Sequence, residues 1–266
     1  MQEVESEHPA GTIGVPMGSL ARYTGTFYDL DRVRVPKGTK LVFAEGVNVA
    51  YNCNNLVNNM SGEWLWLMGD DHRFQPELLL KLLSHKVDVV APVVCRRGMP
   101  FQTVIYKIAS ADYSSYMTYS WACLTRDWPN GGLIPVDAAG TAGMLIKKHV
   151  LTAIGEHDWF EWGKKVSEDI GFCIKARTKG YNIYVDLDTT MTHTTPCDLL
   201  PYRDKDGKWD VAVQIAERVV SFLNTPFEGK DLREVTYGRK GDGLGWEWNR
   251  PPKVSTTGFV TDDEKT

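Results

Sequence analysis

Asp70 and Asp71 stand side by side where an apolar run ends, in EWLWLMGDDHRFQP over residues 63–76, and His72 follows them directly. Hard divalent ions such as Mg2+ and Mn2+ prefer carboxylate oxygen, Mn2+ also accepts imidazole, and both use few protein ligands when substrate phosphates complete the shell. The competing reading is a plain turn, since Gly and Asp are ordinary turn formers and Pro76 can open a helix. Two more chemically capable groups lie further along: Glu168 and Asp169 in SEDIGFCIKARTKG, and His193 in DTTMTHTTP. An Asp, a His and a diphosphate would satisfy the coordination preference of either ion. Carboxylates in the first helical turn are stabilised by the macrodipole and often only cap the helix. The same field keeps Asp169 ionised near neutral pH, as a general base must be.

These groups need elements to hold them. The apolar residues of EWLWLM do not alternate, which predicts a strand covered on both faces, as parallel strands are. GTIGVPMGS, TKLVFAE and VDVVAPVV read as further strands. Residues 48–60 place Val49, Cys53, Leu56, Val57 and Met60 near helical spacing, and Leu78, Leu79, Leu82 and Leu83 give one apolar face behind Pro76. Between the first two strands, SLARYTGTFYDLDRVRVP reads as a short helix closed by Pro36. Strands alternating with helices predict an α/β sheet of mostly parallel strands, whose ligands bind beyond the carboxyl ends. Asp70 and Asp71 project there.

The pattern then weakens. QTVIYKI and YMTYSWACL read as antiparallel strands, AAGTAGMLIKKHVLTAIG as a small-residue loop, a short strand and a helix start. SEDIGFCIKARTKG carries a helix with Ser167 as N-cap and Gly180 at its C-terminal end. YNIYVDL returns as a strand. DVAVQIAERVVSFLN reads as a last helix, and the tail from Arg250 as polar and irregular.

Composition narrows the classes. The 266 residues, 42% hydrophobic, suit one large domain or two small ones, and the formal charge of -4 offers no broad attraction for a polyanion. Five scattered cysteines without a C-x-x-C pair suit a reducing compartment, and no stretch approaches the roughly 20 apolar residues of a membrane span. The expectation is a cytoplasmic protein. There is no P-loop, no dinucleotide G-x-G-x-x-G between strand and helix, and no G-x-S-x-G elbow.

In order and spacing these features resemble the GT-A class of nucleotide-sugar glycosyltransferases, in particular the family two type. EWLWLMGDDHRFQPELLLKLL is similar to that class's strand, Asp-x-Asp motif and Pro-led helix. The segment from AGTAGMLIKKHV to its Glu-Asp pair resembles the acceptor region, and TTMTHTTP holds the place of the late metal-binding histidine. NVAYNCNNLV matches more weakly, with Asn54 in place and Cys53 where an arginine is usual. Counting back from Pro76, Asp-x-Asp falls on Gly69, Asp70 and Asp71, so glycine replaces the first aspartate.

The resemblance implies a GT-A α/β fold in one domain over residues 1–225: a donor half at about 11–100, an acceptor half with a small antiparallel sheet at about 101–200, and a partly irregular extension over 226–266. It implies Asp71 and His193 as ligands of Mn2+ or Mg2+, and Asp70, Pro16, Glu45 and Asn54 against a nucleotide-diphosphate sugar. Asp169, with Glu168 beside it, would be the catalytic base of an inverting transfer to an acceptor hydroxyl. Gly131, Gly132 and the AAGTAG loop would wall the acceptor, which could be a protein, a modified nucleic acid, a glycan or a small molecule. Two rival readings stay open: a metal-dependent nucleotidyltransferase or phosphoesterase, and a non-catalytic sugar- or nucleotide-binding protein.

Overall fold

A computed structural model describes residues 1–18, 24–97, 101–110, 115–155, 159–161, 166–194, 198–203, 206–215, 218–221 and 259–260. Its centre is a seven-stranded sheet in the order Leu133–Val136, Ile183–Thr190, Val89–Val93, Leu145–Lys147, Trp64–Leu67, Thr12–Met17, Lys40–Glu45. Thr12–Met17 runs parallel to both of its neighbours, and Ile183–Thr190 is parallel to Val89–Val93. Leu145–Lys147 is antiparallel to the strands on either side, and Leu133–Val136 is antiparallel to Ile183–Thr190. The expected mostly parallel α/β sheet is therefore present.

Sequence pattern explains the layering. Every residue of Trp64–Leu67 and of Val89–Val93 is buried, so each strand feeds both faces of the sheet. Leu65, Leu67, Val89, Ala91 and Val93 join one core with Leu56 and Phe172, while Trp64, Trp66, Val90 and Val94 join the other with Leu79 and Leu82. A buried Trp of this kind contributes about 4–6 kcal/mol of apolar transfer as an upper bound. The helices Val49–Asn58 and Glu168–Thr178 cover the first face; Leu78–Ser84 covers the second. Asn48 caps Val49–Asn58, its side chain accepting from the Tyr51 amide.

Smaller sheets complete the body. Ala138–Ala139, Ile105–Ile108 and Tyr116–Tyr119 form an antiparallel sheet that also pairs with Phe259–Val260. The rest of the 226–266 segment lies outside the described residues, as do residues 19–23 of the expected early helix, which begins here as Thr24–Arg32.

Two expectations are corrected. The segment read as a last helix forms the strands Trp209–Ile215 and Arg218–Ser221, paired antiparallel with each other, and the first pairs with Asp198–Arg203. Val211, Val213 and Ile215 recur every second residue and are β-branched, a strand pattern that outweighs the helix formers between them. YMTYSWACL is only half strand: Tyr116–Tyr119 gives way to the helix Trp121–Asp127, because Ser120 accepts from the Cys123 amide at 3.1 Å and caps it. Cys53, Cys95, Cys123 and Cys173 are free and buried, in keeping with the absence of a disulfide pattern. Among the described residues no helix is long and apolar enough to cross a membrane.

Candidate active site

The acidic loop is held at both ends. Trp64–Leu67 delivers it at the carboxyl end of the sheet, and the Met68 amide donates to the Gly14 carbonyl at 2.9 Å. Beyond it, His72–Arg73 forms a short strand antiparallel to Thr192–Thr194, with His72 opposite His193. The Thr194 amide donates to the Asp71 carbonyl at 2.7 Å. From outside, the helix Thr24–Arg32 grips the same strand. Asp29 is nearly buried and receives Arg73 Nε at 2.6 Å, Arg73 Nη2 at 3.2 Å and the Phe74 amide at 3.1 Å, while Thr26 donates to the His72 carbonyl at 2.8 Å. A forked guanidinium on a carboxylate fixes orientation as well as position.

Strand register brings together residues more than a hundred positions apart. The rings of His72 and His193 stack with centroids 4.3 Å apart. His193 Nδ1 lies 2.8 Å from the Cys95 carbonyl, and its Nε2 lies 3.3 Å from Asp71 Oδ2. The same Oδ2 lies 3.1 Å from Arg97 Nη2. A carbonyl can only accept, so Nδ1 carries the hydrogen, and a ring without a second proton would turn a lone pair at Nε2 to a carboxylate oxygen. Two acceptors facing each other need a proton or a metal cation between them. Asp71, His72 and His193 offer ligand atoms all within 4.8 Å of one another. One carboxylate and imidazole nitrogen are suitable ligands for Mn2+, so the residues fit a divalent ion.

Burial alone would raise the Asp71 carboxyl, but contacts with His193 and His72 outweigh it and hold the group well below the usual carboxylate range. Burial pushes His72 down, keeping that imidazole neutral. His72 Nδ1 lies 2.7 Å from Asp71 Oδ1, yet neither ring nitrogen is aligned for a hydrogen bond. The ring also explains Gly69. A Cβ on that residue would lie 2.6 Å from His72 Nδ1 and 3.0 Å from Asp71 Oδ1, so the imidazole fills the space a first motif aspartate would need.

A cavity of about 520 Å3 opens beside this cluster, lined among others by Pro16, Asp70, Asp71, Glu168 and His193. Asp70 Oδ2 accepts from the Gly18 amide at 3.0 Å, tying the loop after Thr12–Met17 to the acidic turn. Glu168 is buried at 8% exposure, and its Oε2 has no hydrogen-bond partner. Burial, then the charge of Asp169, push its carboxyl up to about 7. Asp169 is half-buried, and burial raises its carboxyl as well, against the expectation that the helix field keeps it ionised; its Oδ1 accepts from the Ser167 hydroxyl and from the Ile170 amide at 2.8 Å, which pull the other way without outweighing burial. Ser167 thus occupies the N-cap position but spends its hydroxyl on Asp169.

Glu45, Asn54 and Asp169 lie outside the lining, Asp169 directly after Glu168, which is in it. Glu45 ends the edge strand, and the wall beyond it is made by Gly46, Val47 and Asn48. Asn54 clamps the backbone of Phe160, donating to its carbonyl at 2.7 Å and accepting from its amide at 2.9 Å. Gly131 and Gly132 both take positive φ, 72° and 89°, and the Gly132 amide donates to Asp188 at 3.0 Å. The sequence reading left out Asn52 and Arg97 from the lining, and noted His72 in the acidic cluster without naming it among the metal ligands. The signal for Arg97 was its place just past the carboxyl end of a buried strand. A separate depression of about 510 Å3 near Asp137, Arg177 and Tyr181 contains none of these groups.

Residues 22–212 match the family model described as Glycosyltransferase like family 2. That span is well over half the chain, and the chain belongs to this family of glycosyltransferases, whose GT-A fold the central sheet follows. Among solved structures, a protein from STIV is 16% identical, with 80% of this chain and 94% of that one covered and a TM-score of 0.45. S. aureus TarS is 14% identical, with 71% of this chain and 36% of that one covered and a TM-score of 0.44. Residues 1–349 of TarS in complex with UDP-GlcNAc are 14% identical, with 71% and 57% covered and a TM-score of 0.42. No curated protein matches the chain.

Proposed function

We propose that this glycosyltransferase moves a sugar from a nucleotide-diphosphate sugar to an acceptor hydroxyl, with a divalent ion and inversion at the anomeric carbon. The observation that carries the metal reading is the convergence of ligand atoms of Asp71, His72 and His193 within 4.8 Å of one another at the cavity. Asp71 and His193 would hold Mn2+ or Mg2+, with His72 packed beside them. A divalent ion there supplies positive charge against the leaving diphosphate.

The chain's own residues do the rest. Asp70 fixes the Gly18 amide, which together with Pro16 shapes the donor side of the cavity. Asp169 is the base for the acceptor hydroxyl: the Ser167 hydroxyl and the Ile170 amide orient its carboxylate and oppose the protonation that burial favours. Glu168 lines the cavity, and burial and the charge of Asp169 push its carboxyl up to about 7, so it can hold a proton beside the donor in the neutral range. Two neighbouring carboxyls with different surroundings can divide proton acceptance and proton donation in this way.

The test is a thermal-shift screen of nucleotide sugars with and without Mn2+, followed by product analysis. A Mn2+-dependent shift and release of a nucleoside diphosphate support the reading. Release of pyrophosphate or free phosphate instead would assign the site to nucleotidyl transfer or phosphoester hydrolysis. Asp169→Asn should keep donor binding and lose transfer.

A further inference from the structure

Asp71 Oδ2 has two claimants. It lies 3.1 Å from Arg97 Nη2 and 3.3 Å from His193 Nε2, so the guanidinium sits on the same oxygen that would ligate a cation. The two partners differ in freedom. The Asp71 side chain is 14% exposed and its backbone carbonyl is pinned by the Thr194 amide; the Arg97 side chain is 49% exposed, on a long stem just beyond Val89–Val93. Among the described residues lining the cavity, Arg97 is the one lysine or arginine, set against the carboxyl groups of Asp70, Asp71 and Glu168.

We propose that Arg97 is a two-position cation: it neutralises Asp71 when no ion is bound, and it moves onto the diphosphate oxygens of the donor when a divalent ion takes Asp71. A divalent charge on Oδ2 repels the guanidinium, and a diphosphate arriving in the same cavity offers it acceptors of matching geometry. Arg97 therefore opposes binding of the ion alone and favours binding of ion and diphosphate together. The coupling is reciprocal, as any linkage between two ligands must be. This inference rests on the metal-dependent reading above.

The test uses the full chain, with Mn2+ followed by electron paramagnetic resonance and inorganic pyrophosphate followed by equilibrium dialysis. Arg97→Gln should bind Mn2+ alone about three- to tenfold more tightly than the wild type, because the competitor for Asp71 is gone. The Mn2+-loaded variant should hold pyrophosphate about tenfold more weakly than the loaded wild type. Arg97→Lys, which keeps the charge and loses the fork, should fall between them on both measurements. Wild-type protein that binds Mn2+, with Arg97→Gln unchanged or weaker for the ion, overturns the proposal and leaves the metal reading standing. Unchanged pyrophosphate affinity in the loaded variant, or none in the loaded wild type, also overturns it. Wild-type protein that binds no Mn2+ removes the metal reading and this inference together.

Discussion

His193 Nε2 faces Asp71 Oδ2 at 3.3 Å while its Nδ1 is committed to the Cys95 carbonyl at 2.8 Å. The carbonyl claims the Nδ1 hydrogen and leaves Nε2 as the ring atom that meets the carboxylate. Second-partner hydrogen bonds of this kind orient imidazoles that bind metals.

Removing either ligand should therefore remove the ion. Asp71→Asn and His193→Gln are each expected to weaken Mn2+ binding by more than the roughly 10- to 100-fold typical of losing an outer hydrogen-bond partner. Titration of free Mn2+ by electron paramagnetic resonance checks this, and wild-type affinity in both variants would sink the ligand assignment.

Gly69 is required by packing rather than by backbone conformation. Gly69→Ala puts a methyl 2.6 Å from His72 Nδ1, so the imidazole or the turn must shift. The expected cost is about 1–3 kcal/mol of stability, with weaker Mn2+ binding because Asp71 moves too. Urea unfolding that leaves the midpoint unchanged would contradict the crowding argument.

Glu168 predicts a pH-dependent stability difference. Its carboxyl rises from an ordinary 4.5 to about 7 in the folded protein, so the folded state binds the proton more tightly than the unfolded state. The associated stability is present below about pH 4.5 and is lost as pH rises through about 7. Glu168→Gln carries no such penalty and should gain on the wild type by up to about 3 kcal/mol between pH 5 and pH 8. Unfolding curves at those two pH values decide it; a difference between the two proteins that does not change with pH would refute it.

Asn54 should matter for stability and not for the ion. Asn54→Leu strands the amide and the carbonyl of Phe160, at about 2–4 kcal/mol for two lost partners. Chemical unfolding should show the loss while Mn2+ affinity stays at the wild-type value. A variant as stable as the wild type would mean that Phe160 finds other partners.

Much of the donor half was legible because its signals are local. Unbroken apolar runs in Trp64–Leu67 and Val89–Val93 specify strands buried on both faces, and the leucines of Leu78–Ser84 specify a covering helix. The later strands were harder. Trp209–Ile215 carries helix formers and alternating β-branched residues at once, and pairing with Asp198–Arg203 decides between them.

The sequence by itself determined which side chains can do chemistry and that Asp70 and Asp71 end a buried strand. The family relationship of the ordered motifs was also readable there, with Gly69 as a departure. Only the tertiary structure decided that His72 lies opposite His193, that Arg97 reaches Asp71, and that Glu168 faces the cavity while Asn54 turns to Phe160. The reason is physical. Local pattern sets which residues a strand or helix can bury, whereas strand register sets which side chains meet across the fold, and a shift of one residue would turn His193 to the other face.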